Sequence, residues 1–155
     1  MFIRMSVIEM TLILLLFVTL SAVAEQLDAW GEGGRDISSQ NSRSTWQEAK
    51  DYASGVINGA KEMHRAYNDM KEANWKNSDK YFHARGNADA AKHGTGGRHA
   101  AKVISDLREV YGLIKGDSAA DIAADQNANK HGRNGGDPNK YRPEGLPKKF
   151  VLSKT

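Results

Sequence analysis

The longest amphipathic pattern in the chain runs over residues 45–75. Apolar residues recur there at alternating steps of three and four, which places them on one face of a helix. Ser44 or Thr45 is the predicted N-cap, because Gln47 and Glu48 follow three residues later. Gly55 and Gly59 lie four apart, where a close helix crossing can use the missing side chains. The stripe comprises Trp46, Ala49, Ala53, Val56, Ala60, Met63, Tyr67 and Met70, with Tyr52 and Ile57 widening it.

Three shorter helical patterns follow. Ser78 is a candidate cap for a second helix reaching about Lys92, and the glycine-rich residues 93–97 predict a tight turn. The third helix, over residues 98–115, has the most regular apolar spacing. Gly116 predicts its end, and Ser118 with Asp121 predicts the start of a fourth helix that closes near Gly132. The third helix's apolar set is Ala100, Val103, Ile104, Leu107, Val110, Tyr111 and Ile114.

The two ends of the chain lack such periodicity. Residues 133–155 contain all three prolines and predict an irregular C-terminal tail that docks on the helices or stays mobile. Residues 25–43 are polar and glycine-rich and predict a flexible extension. We therefore expect an all-α fold, a four-helix bundle over residues 44–132 with an extended, proline-containing C-terminal tail.

Residues 1–24 have the organisation of a signal peptide. Arg4 provides a positive start, residues 11–20 (TLILLLFVTL) are apolar, and residues 22–24 (AVA) form a small-x-small cleavage pattern. A membrane anchor is the alternative, but a spanning helix needs about 20 apolar residues and this stretch is shorter. We predict cleavage after Ala24, a secreted extracellular protein and no transmembrane span after cleavage.

Composition narrows the chemistry that the chain can perform. There is no cysteine, so neither disulfides nor thiol chemistry is available. The five histidines show neither an H-x-x-x-H pair nor H-E-x-x-H, and there is no G-x-S-x-G. The turn at residues 94–97 lacks the G-K-[ST] ending of a phosphate loop. We therefore expect no enzyme, no catalytic residue, no metal, no cofactor and no nucleic-acid partner.

Several runs of residues resemble one known family. RAYNDMKEAN at residues 65–74 and SDKYFHARGN at residues 78–87 are the longest, and the resemblance covers roughly residues 56–150. They closely resemble the serum amyloid A family. Shorter matches are DAA at 89–91, GTGG at 94–97, AA at 100–101, ISD at 104–106, DP at 137–138, RP at 142–143 and GLP at 145–147.

This resemblance implies properties that the spacing of residues does not show. Members of the family are secreted acute-phase proteins that travel on high-density lipoprotein. They form a four-helix bundle with a C-terminal tail wrapped across it. They bind lipid and retinol, form oligomers and can deposit as amyloid.

The first and third helices carry the predicted lipid-binding or apolar-ligand-binding face. A helix over residues 45–75 would be about 46 Å long at about 1.5 Å per residue, longer than a small domain is wide. Part of its stripe therefore needs a cover, either a second protomer or a phospholipid surface, unless it is simply bundle core. The predicted face comprises Trp46, Tyr52, Ala53, Val56, Ile57, Ala60, Met63, Tyr67, Met70, Val103, Ile104, Leu107, Val110 and Tyr111.

A basic surface is the alternative binding site. The chain carries 22 lysines and arginines against 19 acidic residues, a mild excess that favours anionic partners weakly. This hypothesis describes a soluble host-defence protein that binds heparan sulfate-type polyanions or immune receptors. Its candidate residues are Lys61, Arg65, Arg98, Lys102, Arg108 and Arg142. A third hypothesis is a purely structural bundle.

Overall fold

A computed structural model describes residues 41–150, with side chains from residue 45. The predicted signal peptide, most of the predicted extension and residues 151–155 lie outside the described residues. Within this range four α-helices pack together without any strand, which confirms the all-α four-helix bundle. None of the helices in residues 41–150 has the length and apolarity needed to cross a bilayer.

Helix α1 spans Asn41–Ala73 and is longer at its start than the sequence predicts. Ser44 and Thr45 lie within the helix, so the prediction that one of them caps it is wrong. Capping residues favour a helix start but do not stop a helix from continuing upstream when no breaker intervenes. The helix ends where Asn74 adopts a positive φ of 44°, a conformation that asparagine tolerates well.

Helix α2 spans Asp79–Ala91 and lies at the centre of the bundle. It packs against α1, α3, α4 and the first part of the tail, so most of its residues are buried on every side. Ser78 precedes it as predicted but does not cap it through its side chain. The hydroxyl instead donates a hydrogen bond to the Trp75 carbonyl at 2.8 Å, inside the tight connection from α1.

Helix α3 spans Gly94–Lys115, so the predicted glycine turn is in fact its first helical turn. Only Lys92 and His93 separate α2 from α3. Gly96 and Gly97 are buried where α3 crosses α1: a Cβ on Gly96 would collide with the Tyr52 carbonyl, and one on Gly59 would lie 2.6 Å from the Gly97 Cα. These glycines allow the backbones of the two helices to come into close contact. In the sequence alone, the same glycines are typical of a turn.

Helix α4 spans Ala119–Arg133 and begins as predicted. The Ser118 hydroxyl accepts a hydrogen bond from the Asp121 amide at 3.1 Å, which is the expected capping contact. Gly116 ends α3 with a φ of 92°, also as predicted. Gly132 does not terminate α4 but sits in its last turn, where a Cβ would collide with the Ala84 carbonyl of α2.

The tail docks on the bundle through residues 134–150. It contains two 3-10 turns, Pro138–Tyr141 and Lys148–Phe150. Leu146 and Phe150 join Tyr81 and Phe82 of α2 in an apolar cluster. The Phe150 carbonyl also accepts hydrogen bonds from the Tyr81 hydroxyl at 3.0 Å and from Arg85 Nη1 at 3.1 Å. Of the two predicted states of the tail, the docked one is therefore observed over these residues.

Candidate functional site

The apolar stripe of α3 faces away from the bundle. Five of the seven large apolar side chains that are exposed in residues 45–150 lie on this helix. Val103, Leu107, Val110 and Ile114 follow one another at steps of four, three and four, and they are 48, 60, 56 and 77 % exposed. We call these four residues the outer strip.

The opposite face of α3, which meets the other helices, is small and polar. Its buried residues after the first turn are Ala100, Ala101, Ser105, Glu109 and Gly112. Small residues allow α3 to approach its neighbours closely, and Ser105 and Glu109 take part in buried polar contacts. Helix α3 is thus amphipathic with its apolar side outward, the reverse of a helix that stabilises a soluble domain by burying its stripe.

The predicted residues on α1 divide between core and periphery. Val56 and Ala60 are buried against Ala100, with Ile104 of α3 packed beside them. Met70 packs on the tail cluster at the other end of the helix. Trp46, Ala53, Ile57, Met63 and Tyr67 are half-buried.

Part of the predicted α1 face is therefore buried against α3 and belongs to the core of the bundle. Tyr52 is the exception on α1, because it stays 45 % exposed next to α3. Its hydroxyl lies 3.0 Å from His99 Nδ1, and the two rings meet edge to face. Ile104 and Tyr111 are half-buried along one border of the outer strip.

Sequence reasoning omitted two exposed residues from the predicted face, Leu113 and Ile114. Ile114 follows Val110 by four residues and belongs to the apolar set that the sequence gives for this helix, but the predicted face did not include it. Leu113 lies off that period, so only its 64 % exposure marks it.

The candidate polyanion residues lie on three elements. Lys61 and Arg65 belong to α1; Arg98, Lys102 and Arg108 belong to α3; and Arg142 belongs to the tail. Arg65 lies 2.5 Å from Glu62 and 3.3 Å from Asp89, and Lys102 lies 2.5 Å from Asp106. Arg108 is half-buried. Arg65 and Lys102 are thus exposed but paired with acidic side chains, and Lys61, Arg98 and Arg142 are exposed.

A buried polar cluster that the sequence analysis missed lies between α2, α3 and α4. Each helix contributes two residues spaced by four, a periodic signal that was available in the sequence. We call this cluster the polar centre. It comprises His83 and Asn87 of α2, Ser105 and Glu109 of α3, and Asp125 and Asn129 of α4, and all six are buried.

Two ionisable groups of the polar centre have strongly displaced pKa values. Burial lowers the pKa of His83 to about 4, and the nearby Arg108 charge acts in the same direction. Burial also raises the pKa of Glu109 to about 7, against the opposing effect of Arg108. His83 is therefore neutral at physiological pH, and Glu109 keeps its proton to a higher pH than an ordinary glutamate does.

Comparison with known proteins identifies close relatives. Residues 50–150 match the family model described as Serum amyloid A protein. The chain is 66 % identical over 92 residues to serum amyloid A-3 protein of Oryctolagus cuniculus, which covers 59 % of this chain and 75 % of that protein. It is 64 % identical over 95 residues to serum amyloid A-1 protein of Mus musculus, covering 61 % of this chain and 78 % of that protein.

Proposed function

Because this chain belongs to the serum amyloid A family, a family of acute-phase apolipoprotein-like proteins, we propose that it is secreted and binds the phospholipid surface of lipoproteins. The outer strip of α3 is the proposed contact. The single observation that carries this proposal is the outward direction of that strip, since a soluble bundle gains nothing by placing its most apolar stripe in water.

The size of the strip supports an apolar partner. Full burial of a large aliphatic side chain is worth roughly 1.5–3 kcal/mol. The four residues are about half to three-quarters exposed, so covering them recovers about 1 kcal/mol each, or about 4 kcal/mol together. That amount is a useful fraction of the stability of a small domain.

Lysines at both borders of the strip suit contact with a lipid surface. Lys102 lies along one border, and Lys115 lies along the other with its Nζ 4.7 Å from the centre of the Tyr111 ring. Long cationic side chains beside an apolar stripe can extend to phosphate headgroups while their stems stay on the apolar surface.

Flotation with phosphatidylcholine vesicles tests the proposal. Leu107→Glu should lower the vesicle partition coefficient about tenfold or more, since it removes the burial of one large side chain and also puts a charge at the middle of the strip. Ala123→Glu puts the same charge on the exposed face of α4 and should leave partition unchanged.

The predicted cleavage after Ala24 is tested on protein secreted into the culture medium. An N-terminus other than Glu25 would contradict that prediction.

Equal flotation of wild type and Leu107→Glu would overturn the assignment of the strip. Concentration-dependent self-association that Leu107→Glu abolishes, without any flotation of the wild type, would show that a second copy covers it. Retinol binding stays a prediction, and a retinol fluorescence titration of the same two variants tests it.

Heparan sulfate binding also stays a prediction. Its six candidate residues lie on α1, α3 and the tail, and we propose no single basic patch. Retention on heparin that salt removes, together with failure to float with neutral vesicles, would favour that alternative.

A further inference from the structure

Three side chains of the polar centre present ligand atoms to one small volume. His83, Glu109 and Asp125 are all buried, and one potential metal-ligand atom of each residue lies within 4.8 Å of those of the other two. His83 Nε2 is 3.6 Å from Asp125 Oδ2, whereas Glu109 Oε1 lies 3.9 Å from Nδ1, the other nitrogen of the ring. The three residues come from three different helices, so only the packing of α2, α3 and α4 brings them together.

A chain of hydrogen bonds determines which nitrogen of His83 carries its proton. Arg133 has only donors, and its Nη1 lies 2.6 Å from Asn87 Oδ1, which orients the Asn87 amide. Asn87 Nδ2 then donates to Asn129 Oδ1 at 2.8 Å. His83 Nδ1 lies 2.9 Å from that same oxygen, which can only accept, so Nδ1 holds the proton.

The other nitrogen of the ring, Nε2, is consequently a lone-pair acceptor. It is buried, the His83 side chain being 5 % exposed, and it has no hydrogen-bond partner among residues 45–150. Asp125 Oδ2, 3.6 Å away, is also an acceptor. Two acceptors that face each other in a buried space repel, and a cation between them removes the repulsion.

We infer that His83, Glu109 and Asp125 form a binding site for a divalent transition-metal ion, with Zn²⁺ as its best representative. One imidazole nitrogen and two carboxylate oxygens suit Zn²⁺, and three protein ligands leave a fourth position for water. Ligand atoms around a tetrahedral Zn²⁺ are about 3.4 Å apart, given bonds of about 2.0–2.2 Å. The 3.6 Å between His83 Nε2 and Asp125 Oδ2 is close to that separation.

The surroundings of the three residues complete this arrangement. The Nδ1–H of His83 bound to Asn129 Oδ1 is the outer contact that commonly orients a metal-binding histidine. Lys80 lies 3.2 Å from Asp125 Oδ1 and leaves Oδ2 directed at His83. The positive charges of Lys80 and Arg108 oppose a bound cation, so we expect weaker affinity than that of a four-ligand structural site.

Metal binding should stabilise the bundle, because the site exists only when three helices are packed. The test uses the full chain treated with EDTA and then titrated with ZnSO4 or, as a comparison ion, MgCl2. Calorimetry measures stoichiometry and affinity, and thermal unfolding measures the change in Tm. We expect one Zn²⁺ per chain and a rise in Tm of roughly 5 °C or more at saturation, with no response to Mg²⁺.

His83→Gln should lower Zn²⁺ affinity at least about 100-fold and abolish the rise in Tm, because it removes a ligand. His99→Gln, at an exposed histidine on α3, is the matched control and should behave as the wild type. If His83→Gln does not fold, Glu109→Gln provides the same test from another helix. The visible spectrum of the Co²⁺-loaded protein gives a readout independent of stability.

Absence of stoichiometric Zn²⁺ binding by the wild type would overturn this inference. So would wild-type affinity in both His83→Gln and Glu109→Gln, or loss of binding in His99→Gln. A site of this kind is independent of lipid binding, so its failure leaves the outer strip of α3 untouched.

Discussion

At the scale of single residues, glycines determine how closely α1 and α3 cross. Gly55 and Gly59 of α1 face Gly96 and Gly97 of α3, and backbone atoms occupy the space that side chains would need. The spacing of Gly55 and Gly59 predicted such a crossing, and the structure confirms it. The partner glycines on α3 were mistaken for a turn, because the sequence does not reveal which helix approaches them.

Gly59→Ala should destabilise the protein by about 1–3 kcal/mol. Alanine improves helix propensity by about 1 kcal/mol, but its Cβ would lie 2.6 Å from the Gly97 Cα, and backbone on one side has to move. Urea unfolding followed by circular dichroism measures the difference. Ser54→Ala, at an exposed position on the same helix, should change stability by no more than about 0.5 kcal/mol. A stabilised Gly59→Ala protein would show that α1 and α3 leave room for a Cβ at this crossing.

At the scale of elements, the tail is part of the folded domain. Phe150 is 4 % exposed, and its ring meets that of Phe82 edge to face with centroids 6.1 Å apart. Trp75 Nε1, in the connection after α1, donates to the Glu144 carbonyl at 3.2 Å. These contacts close the end of the bundle where α1 and α2 meet, so the tail supplies core that the helices lack.

Phe150→Ala should lower the free energy of unfolding by about 3 kcal/mol, as expected for a buried aromatic side chain. It should also speed proteolysis at residues 134–150, because the docked tail loses the contacts of the Phe150 ring with the apolar cluster on α2. Lys148→Ala, at an exposed position in the same 3-10 turn, is the control and should leave both measurements unchanged. Unaltered stability of Phe150→Ala would mean that the tail contributes little to the fold.

At the scale of the whole molecule, the large apolar side chains are unevenly distributed. The bundle interior holds many alanines, glycines and a polar centre, while large aliphatic residues of α3 lie outside. A domain of this kind has few large apolar side chains in its core and a preformed apolar surface. The proposed lipid contact therefore requires no new helix within residues 41–133.

Binding to phosphatidylcholine vesicles should accordingly leave the far-UV circular dichroism spectrum at 37 °C nearly unchanged. The strip is already helical, so association covers it without folding it. The spectrum is measured on fractions that float with the vesicles. Leu107→Glu, which is expected not to float, is the unbound control. A large gain in helix on floating would instead mean that binding involves segments beyond the outer strip or an opened bundle.

The sequence by itself determined the features that depend on neighbours along the chain. Helical periodicity placed all four helices, Gly116 marked the end of α3 and Ser118 the start of α4, because these signals act within one turn. The same periodicity identified most residues of the outer strip, and the longer runs of residues identified the family.

Only the tertiary structure decided which way the faces point and which distant residues meet. Periodicity finds an apolar stripe but not its direction, so Val103 and Val56 look alike in sequence while one is exposed and the other buried. The polar centre joins residues 83, 109 and 125, whose proximity depends on three helices packing at once. Docking of the tail likewise rests on contacts between residues nearly 70 positions apart, which no local pattern encodes.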